Sequence, residues 1–232
     1  MSGGIEKRDS FALEPELIKD PLEKAKAEAR NGLQQYDYGV QTVLTALERG
    51  SFKLRISLVL ALQREALRGI SQYAGNFRPS GVEITGSKHA PPEAHLVPDL
   101  VEAMCDYVND NWTTATPLHL AAYIMWRLNW IHPFADGNGR TSRILSYVVL
   151  SIRSGALPPG TPTIPDLIVE NRQPYFNALD AADEAWAQGR IDLSVMEELL
   201  EILLAKQLTG YFQQAGGKID DAGTPLLQQD ES

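Results

Sequence analysis

Residues 131–143 read Ile131-His132-Pro133-Phe134-Ala135-Asp136-Gly137-Asn138-Gly139-Arg140-Thr141-Ser142-Arg143. Pro133 disfavours the helical conformation at His132, so the apolar helix before the segment should end there and present the imidazole at the edge of a loop. Gly137, Asn138 and Gly139 tolerate left-handed backbone, which can turn successive N–H groups toward one point where the next helix begins. The segment therefore predicts a loop between two helices that can hold an anion.

Two arginines in the first turn of that next helix support an anion site. Arg140 and Arg143 are three residues apart and share one helix face. A cation at a helix N-terminus opposes the macrodipole and is unfavourable unless something negative is bound there. Two guanidinium groups and the backbone N–H groups can neutralise adjacent phosphates of a nucleotide. Asp136 directly precedes the glycines, where its carboxylate could hold Mg²⁺ against those phosphates.

The rest of the chain is predicted to be almost entirely helical. Asp20, Pro21 and Glu23 provide an N-cap, a first-turn proline and an acidic third position, so a long helix should begin there and end at Gly50. Further helices are predicted over 54–67, 96–112, 117–130, 139–153, 172–186 and 192–212. Strand-like alternation is confined to Val82-Glu83-Ile84-Thr85, which predicts a short exposed hairpin. The expected fold is an all-α helical bundle with a small β-hairpin flap.

The composition limits the class of protein. Hydrophobic residues make up 44% of the 232 residues and charged residues 22%, which are ordinary values for a folded globular chain. The formal charge of −9 has the wrong sign for binding nucleic acid or an anionic membrane surface, and neither partner is expected. No apolar run approaches the length of a membrane span, and the first thirty residues contain no export signal.

Cysteine and histidine usage argues against structural metal or disulfide sites. The single cysteine, Cys105, excludes an intramolecular disulfide and a multi-cysteine zinc site, and it fits a reducing, cytoplasmic setting. Cys105 lies in an apolar helical pattern and is expected to be an inert, buried thiol. His89, His95 and His119 have no second ligand at a metal-binding spacing, so they are interpreted as structural or surface histidines.

The segment from His132 to Arg143 resembles the signature of the Fic family, His-x-Phe-x-(Asp/Glu)-Gly-Asn-Gly-Arg-x-x-Arg, at every specified position. The resemblance extends over roughly 54–204. Val82 to His89 is similar to the flap that positions the target in this family, and the segment around Tyr175 is similar to the one that closes the adenine pocket. The expected organisation is a flexible arm (1–19), an N-terminal helical segment (20–50), a Fic domain (51–213) and a flexible tail (214–232).

The resemblance implies an activity and a role for each matching residue. Fic proteins typically transfer AMP from ATP to a Ser, Thr or Tyr hydroxyl of a target protein. His132 would be the general base, Asp136 would bind Mg²⁺, and Phe134 would anchor the loop in the core. Gly137, Asn138 and Gly139 would hold the α-phosphate region. Arg140, Arg143 and Tyr175 would also bind the nucleotide, the arginines through its β- and γ-phosphates.

Several alternatives stay open at this level. The scaffold could transfer another nucleotide such as UMP, or phosphate, and Asp183 stands where many relatives have an asparagine toward the adenine edge. A non-catalytic nucleotide-binding module and a DNA-binding regulator are rivals from other classes. The target protein and a homo-oligomeric state cannot be read from these residues.

Regulation of the family suggests one more expectation. Many Fic proteins carry an inhibitory (Ser/Thr)-x-x-x-Glu-(Gly/Asn) helix whose glutamate pairs with the second motif arginine. Ser10 to Glu14 and Ser194 to Glu198 match only in part, and the N-terminal helix carries neutral and basic residues at the corresponding place. Glu198 should lie on a solvated helix face, so Arg143 is expected to be available to ATP.

Overall fold

The computed structural model describes residues 8, 10, 11, 15, 17–219, 225 and 226. Within these residues the chain is a helical bundle whose α-helices have the following bounds: α1 Pro21–Arg49, α2 Ile56–Leu67, α3 Val97–Asp110, α4 Pro117–Ile131, α5 Asn138–Ser154, α6 Ile164–Glu170, α7 Gln173–Ala187 and α8 Ser194–Gln214. A turn of 3₁₀-helix, Ala94–Leu96, precedes α3. The predicted all-α fold is confirmed, and each predicted helix lies within three residues of an observed one.

The long helix α1 begins and ends as its sequence predicts. The Glu23 N–H donates to the Asp20 carboxylate over 2.8 Å, and Gly50 closes the helix in the left-handed conformation. On its inner face the Asn31 amide donates to the carbonyls of Ala66 and Arg68 at the end of α2. These carbonyls have no partner within α2, so α1 satisfies them and fixes how the two helices pack.

The helices α4 and α5 carry the motif loop between them and lie at the centre of the bundle. Every residue from Leu120 to Leu128 is buried, so α4 is covered on all sides, as expected of a core helix. The Ser146 hydroxyl of α5 donates to the Ala121 carbonyl over 2.9 Å. Because both helices are fixed by the core, the loop that joins them is held at both ends.

The helix α6 was missed by the sequence interpretation. Pro162 precedes it, Pro165 lies in its first turn, and its seven residues show no clear apolar period. Its start is nevertheless marked in the sequence, because Thr163 and Asp166 form a capping box in which the Thr163 N–H donates to the Asp166 carboxylate over 2.9 Å.

The strand of the flap does not pair as predicted. Glu83–Ile84 (β2) pairs in antiparallel register with Ser10–Phe11 (β1), with Ser10 opposite Ile84 and Phe11 opposite Glu83. The flap therefore contributes one strand, and its partner comes from the N-terminal arm instead of from the predicted hairpin between Pro79 and Pro91. A local alternation pattern cannot reveal a partner so far away along the chain.

The two ends of the chain are described only in part. A second antiparallel pair joins Lys218–Ile219 (β3) to Pro225–Leu226 (β4). The predictions that 1–19 and 214–232 are flexible fall largely outside the described residues. No helix among those residues combines the length and the apolar character needed to cross a membrane.

Candidate active site

His132 directly follows α4 and has an unusual backbone. Its φ of 51° and ψ of 56° are left-handed, and its N–H donates to the Leu128 carbonyl over 2.9 Å. A residue with a Cβ rarely adopts this conformation, and such strain concentrates at functional sites. The predicted end of the helix just before the imidazole is confirmed, and the left-handed turn determines the direction in which the ring leaves the helix.

The imidazole of His132 is oriented by a backbone group. Its Nδ1 donates to the Asn129 carbonyl over 3.2 Å, which makes Nε2 the basic nitrogen of the neutral ring. Burial lowers the pKa of His132 to about 4, with smaller contributions in the same direction from Arg78 and His89. The ring is therefore neutral at physiological pH and can accept a proton from a bound substrate.

The helix α5 begins with a tight turn at Gly137. This residue has a φ of 83°, and a Cβ there would lie 2.5 Å from the Leu67 side chain, so both backbone and space require glycine. Asn138 and Gly139 already belong to α5 and do not share the left-handed conformation. The expected run of three such residues is therefore wrong, and the cradle is the N-terminus of α5, where N–H groups point out of the helix.

The side chain of Asn138 holds the loop together. It is buried, its Oδ1 accepts from the Phe134 N–H over 2.9 Å, and its Nδ2 donates to the Phe134 carbonyl over 2.8 Å. Phe134 itself is fully buried and packs against Phe77, with 5.9 Å between the two ring centroids. The expected anchoring role of Phe134 is confirmed, and only the backbone of Asn138 is left to act on a ligand.

Arg140 and Asp136 form an ion pair at the mouth of the cradle. The Arg140 Nη2 donates to the Asp136 carboxylate over 2.8 Å, and the other Asp136 oxygen accepts from the Gly137 N–H. Glu28 of α1 lies 3.9 Å from the Arg140 guanidinium. The expectation about α1 concerned the second motif arginine, Arg143, and Glu28 instead brings a carboxylate to the first, Arg140.

Arg143 is placed one turn further into α5 and is partly buried. Its Nη1 lies 3.1 Å from the place where a Cβ on Gly139 would be, so the guanidinium folds back over the start of the helix. Burial lowers the pKa of Arg143 from its ordinary value, and Arg140 and Arg172 act in the same direction. Among the described residues no carboxylate forms an ion pair with it. Glu198 is exposed on α8 and does not reach it.

These groups face one cavity of about 700 Å³. The size is typical of a pocket for a nucleotide or a similar ligand. Its walls come from the motif loop, the start of α1, the flap, the arm and α7. Its lining includes Arg8, Glu28, Ile84, His89, His132, Asp136, Gly137, Asn138, Gly139, Arg140, Arg143, Phe176 and Asp183.

The flap residues have different positions relative to this cavity. Ile84 lies in its lining, Val82 is buried in the protein, and Glu83 and Thr85 are exposed. Of the four residues predicted to position a target, only Ile84 thus borders the cavity directly.

Tyr175 lies beneath the cavity and not in its lining. Its side chain is buried, and its hydroxyl accepts from the Asn129 amide over 2.8 Å and lies 3.4 Å from the Ser142 hydroxyl. The Asn129 amide also donates to Ser142 over 2.7 Å. Since Asn129 provides the carbonyl that orients His132, this network supports the loop from below.

His89 and Asp183 both line the cavity, although the sequence predicts a place toward the nucleotide base only for Asp183. The His89 Nε2 donates to the Trp130 carbonyl over 2.7 Å, and its Nδ1 lies 3.9 Å from the Asp183 carboxylate. The Asp183 Oδ1 accepts from the Trp126 indole over 2.7 Å, and burial raises the pKa of this carboxyl. His89 thus connects the flap to α4 and α7 instead of lying on the surface.

Arg78 was missed altogether. Its side chain is buried, its Nε donates to the His132 carbonyl over 2.8 Å, and its Nη1 donates to the Ser80 carbonyl over 2.8 Å. Its Nη2 donates to the Pro92 carbonyl, and its own N–H donates to the Pro133 carbonyl over 2.9 Å. All these partners are backbone groups, which no sequence motif identifies.

His119 and Cys105 lie in the structural and buried positions expected of them. His119 Nδ1 lies 2.8 Å from the Glu197 carboxylate and its Nε2 lies 2.9 Å from the Tyr107 hydroxyl, so it has a structural role. Cys105 is buried, and burial raises the pKa of its thiol to about 12. The described residues contain no group of three or more His, Cys, Asp or Glu side chains arranged to hold a metal ion.

A magnesium ion that arrives bound to a nucleotide needs fewer protein ligands than an ion held by the protein alone. Mg²⁺ commonly uses one or two carboxylates and completes its shell with phosphates and water. Asp136 is about half exposed at the mouth of the cavity and has oxygen ligands of the preferred type. The residues present therefore fit a magnesium ion shared with phosphates, but not a site built from protein ligands alone.

Curated proteins are similar to this chain over part of its length. It is 33% identical over 136 residues to Protein adenylyltransferase Fic of Drosophila willistoni, a match covering 57% of this chain and 26% of that protein. It is 29% identical over 154 residues to a probable protein adenylyltransferase of Aquifex aeolicus, covering 62% of this chain and 44% of that protein. The chain thus spans less than half the length of either relative.

Solved structures support the fold. A Fic domain containing signaling protein from Bacteroides thetaiotaomicron superposes with a TM-score of 0.66 at 21% identity, over 82% of this chain and 74% of that one. A Fic family protein from Desulfovibrio desulfuricans gives a TM-score of 0.62 at 22% identity, over 88% and 57% of the two chains. The model of the Fic/DOC family matches residues 53–150, which include the whole motif. Residues 53–150 of the chain thus match the Fic/DOC family, and the motif and the fold agree with that match.

Proposed function

We propose that the chain is a Mg²⁺-dependent protein adenylyltransferase that transfers AMP from ATP to a Ser, Thr or Tyr hydroxyl of a target protein. The observation that carries the proposal is the placement of a neutral histidine, His132, and a helix N-terminus with two arginines around one cavity. The curated relatives named protein adenylyltransferase support it.

Each part of the reaction has a residue suited to it. The target hydroxyl oxygen bonds to the α-phosphorus of ATP, the bond from this phosphorus to the bridging oxygen of the β-phosphate breaks, and pyrophosphate leaves. His132 Nε2 takes the hydroxyl proton. The N–H groups at the start of α5 stabilise the α-phosphate, while Arg140 and Arg143 hold the leaving phosphates. Magnesium, held by Asp136, would neutralise charge on the phosphates.

The flap is proposed to hold the target. An extended segment can add to a strand edge through backbone hydrogen bonds, largely independent of its own sequence. Ile84 borders the cavity that contains His132, so a segment paired with this strand would run past the general base. The low pKa of His132 in the empty site should rise when the negative phosphates bind nearby, which makes the imidazole a better base in the loaded enzyme.

A labelled-nucleotide assay tests the proposal. The chain is incubated with a host-cell lysate and ATP labelled on either the α- or the γ-phosphate, and proteins are separated and counted. AMP transfer leaves α-label only, phosphate transfer leaves γ-label, and a binding module leaves neither. His132→Ala should abolish labelling while ATP affinity stays within about threefold, because a base acts on the hydroxyl and not on the phosphates.

Another nucleotide is a second candidate because of Asp183. An ionised carboxylate accepts hydrogen bonds but does not donate them, so this residue would favour an amino or imino group on the base over an acceptor nitrogen. Burial raises the pKa of this carboxyl, which favours the protonated, donating form relative to an exposed aspartate. Competition of unlabelled ATP, GTP, CTP and UTP against labelled ATP, with the unmodified chain and with Asp183→Asn, would identify the preferred base.

A further inference from the structure

The strand edge of the flap already has a partner within the chain. Ser10–Phe11 pairs with Glu83–Ile84 and so occupies one edge of the flap strand, and both Ile84 of that strand and Arg8 of the arm line the cavity. One edge of a strand can form backbone hydrogen bonds with only one neighbouring strand at a time. An added target segment and the arm therefore cannot pair with this edge of the flap together.

Arg8 provides a second, independent contact for the same segment. Its Nη2 donates to the Asp180 carboxylate of α7 over 2.7 Å. Its guanidinium carbon lies 4.7 Å from the centre of the Phe176 ring, a distance at which a cation is attracted to an aromatic face. The side chain of Arg8 is only 11% exposed. The side chain of Arg8 therefore occupies a specific slot, which is formed by the Asp180 carboxylate and the Phe176 ring.

The docked segment leaves space for a nucleotide. The cavity has about 700 Å³ with Arg8 already in its wall, and Arg140, Arg143 and His132 still border it. The segment thus overlaps the edge proposed for the target without filling the phosphate end. Competition should accordingly be with the target and not with ATP.

The slot is suited to an occupant that can leave. Among the described residues, the Arg8 Nε is buried without a hydrogen-bond acceptor, so the slot does not satisfy every donor of the guanidinium. Asp180 keeps 47% of its side chain exposed and remains accessible to another arginine. A competing arginine can replace Arg8 more easily here than in a fully buried ion pair, because Asp180 is exposed to solvent and one donor of Arg8 lacks an acceptor.

We infer that the flap edge, Asp180 and Phe176 form one binding site for an extended segment with an arginine two residues before its paired strand, and that Arg8 and the strand Ser10–Phe11 of the chain occupy this site in competition with the target. The inference rests on the proposed function, because a target is expected at the flap only if the protein modifies one. It also names a feature of the target: a basic side chain that replaces Arg8 in the slot.

The first test measures labelling by the full chain. Arg8→Ala should raise the rate at low target concentration about fivefold, by lowering KM for the target with kcat unchanged, since the resident segment is held less tightly. ATP affinity should stay within twofold. Arg49→Ala, which removes an exposed arginine at the end of α1, is the matched control and should change neither. A tenfold change in ATP affinity, or no change in KM for the target, contradicts the inference.

The second test needs no catalysis. A fluorescent peptide of residues 5–13, Ile5 to Leu13, is titrated with the full chain and followed by anisotropy. It should bind the Arg8→Ala chain more tightly than the unmodified chain, because the weakened segment is easier to displace. Adding Asp180→Asn to the Arg8→Ala chain should weaken binding again, whereas Asp110→Asn, at an exposed position at the end of α3, should not.

The two readouts separate the inference from the proposed function. Specific binding of the peptide without any labelled protein would refute the adenylyltransferase and leave the peptide site in place. Labelling that is active but unaffected by Arg8→Ala, together with equal peptide affinity for all variants, would refute the peptide site alone. A peptide in which the residue corresponding to Arg8 is alanine should bind more weakly, and equal binding by both peptides would also count against the slot.

Discussion

Arg78 donates a 2.8 Å hydrogen bond from its Nε to the backbone carbonyl of His132, although 54 positions separate the two residues along the chain. The same guanidinium holds the carbonyls of Ser80 and Pro92, at either end of the segment that contains β2. One buried side chain therefore connects the candidate general base to the candidate target-binding strand. The position of the flap and the left-handed turn at His132 depend on each other through this contact.

Replacing Arg78 should affect catalysis and stability together. Arg78→Ala leaves several buried carbonyls without donors, and we expect the free energy of unfolding to fall by about 2–4 kcal/mol. The rate of transfer should fall more than ATP affinity, because His132 and the flap lose their common support. Urea denaturation, labelling and ATP titration measure the three effects.

Arg78→Lys helps to separate geometry from charge. Lysine keeps the positive charge but cannot reproduce the three directions of the guanidinium donors, so it should recover only a small part of the lost rate. Full activity of Arg78→Lys would show that the charge alone matters and would contradict a positioning role.

The acid limb of the profile of kcat/KM against pH should lie at a lower pH than an ordinary histidine would give. Because the pKa of His132 is lowered from 6.5 to about 4, the imidazole of the unloaded enzyme stays neutral down to about pH 5. With ATP kept well below saturation, we expect kcat/KM for the target to change by less than about twofold between pH 7.5 and 5.5, whereas an unperturbed histidine would lose most of its basic form over that range.

The profile of kcat should differ from that of kcat/KM. Bound phosphates favour the protonated imidazole, so the acid limb of kcat should lie at higher pH than the limb of kcat/KM. ATP affinity, measured at each pH by titration, controls for effects on nucleotide binding. An acid limb of kcat/KM near pH 6.5 would show that the imidazole is better solvated than its burial implies.

Much of this site could be predicted from local sequence, and the exceptions share a cause. The cap at Asp20, the end of α4 before His132 and the glycine at position 137 follow from the chemistry of a few neighbouring residues. Arg78, His89 and the pairing of Ser10 with Ile84 depend on groups that are distant in sequence. Backbone carbonyls and strand edges leave no residue signature, so only the folded chain brings them together.

The two motif arginines should contribute differently to nucleotide affinity. Arg143 has no carboxylate partner among the described residues, so Arg143→Ala removes a charge-assisted contact with phosphate and should cost about 1.5–3 kcal/mol, or roughly ten- to a hundredfold in affinity. Arg140 already interacts with Asp136 over 2.8 Å and must share that interaction with the ligand. Arg140→Ala should therefore cost less, and calorimetric titration with ATP compares the two. Equal losses would show that the Asp136 pair does not compete with the phosphates.

The flap edge can be tested with a residue that cannot donate. Ile84→Pro removes one backbone donor from β2 and disfavours continued pairing. Labelling of protein targets should fall by at least about tenfold, while ATP affinity remains within about threefold, since the phosphate end of the cavity does not involve this strand. Circular dichroism and thermal unfolding check that the bundle is intact. A parallel loss of ATP binding would mean that the substitution disrupts the whole site.

Removing the carboxylate of Glu198 should have little effect on activity. Glu198 lies exposed on α8, so the rate of labelling by Glu198→Gly should stay within about twofold of the rate of the unmodified chain. An increase of tenfold or more would reveal an inhibitory role.

Glu28 lies 3.9 Å from Arg140 and borders the cavity, where its charge repels the phosphates and competes for the guanidinium. Because Glu28 is 41% exposed, solvent screens much of this effect, and Glu28→Gln should tighten ATP binding only about two- to fivefold. Raising the salt concentration should reduce that gain, because exposed charges are screened over a Debye length of about 10 Å at 0.1 M. Weaker ATP binding by Glu28→Gln at low salt would instead show that Glu28 helps to position Arg140 for the nucleotide.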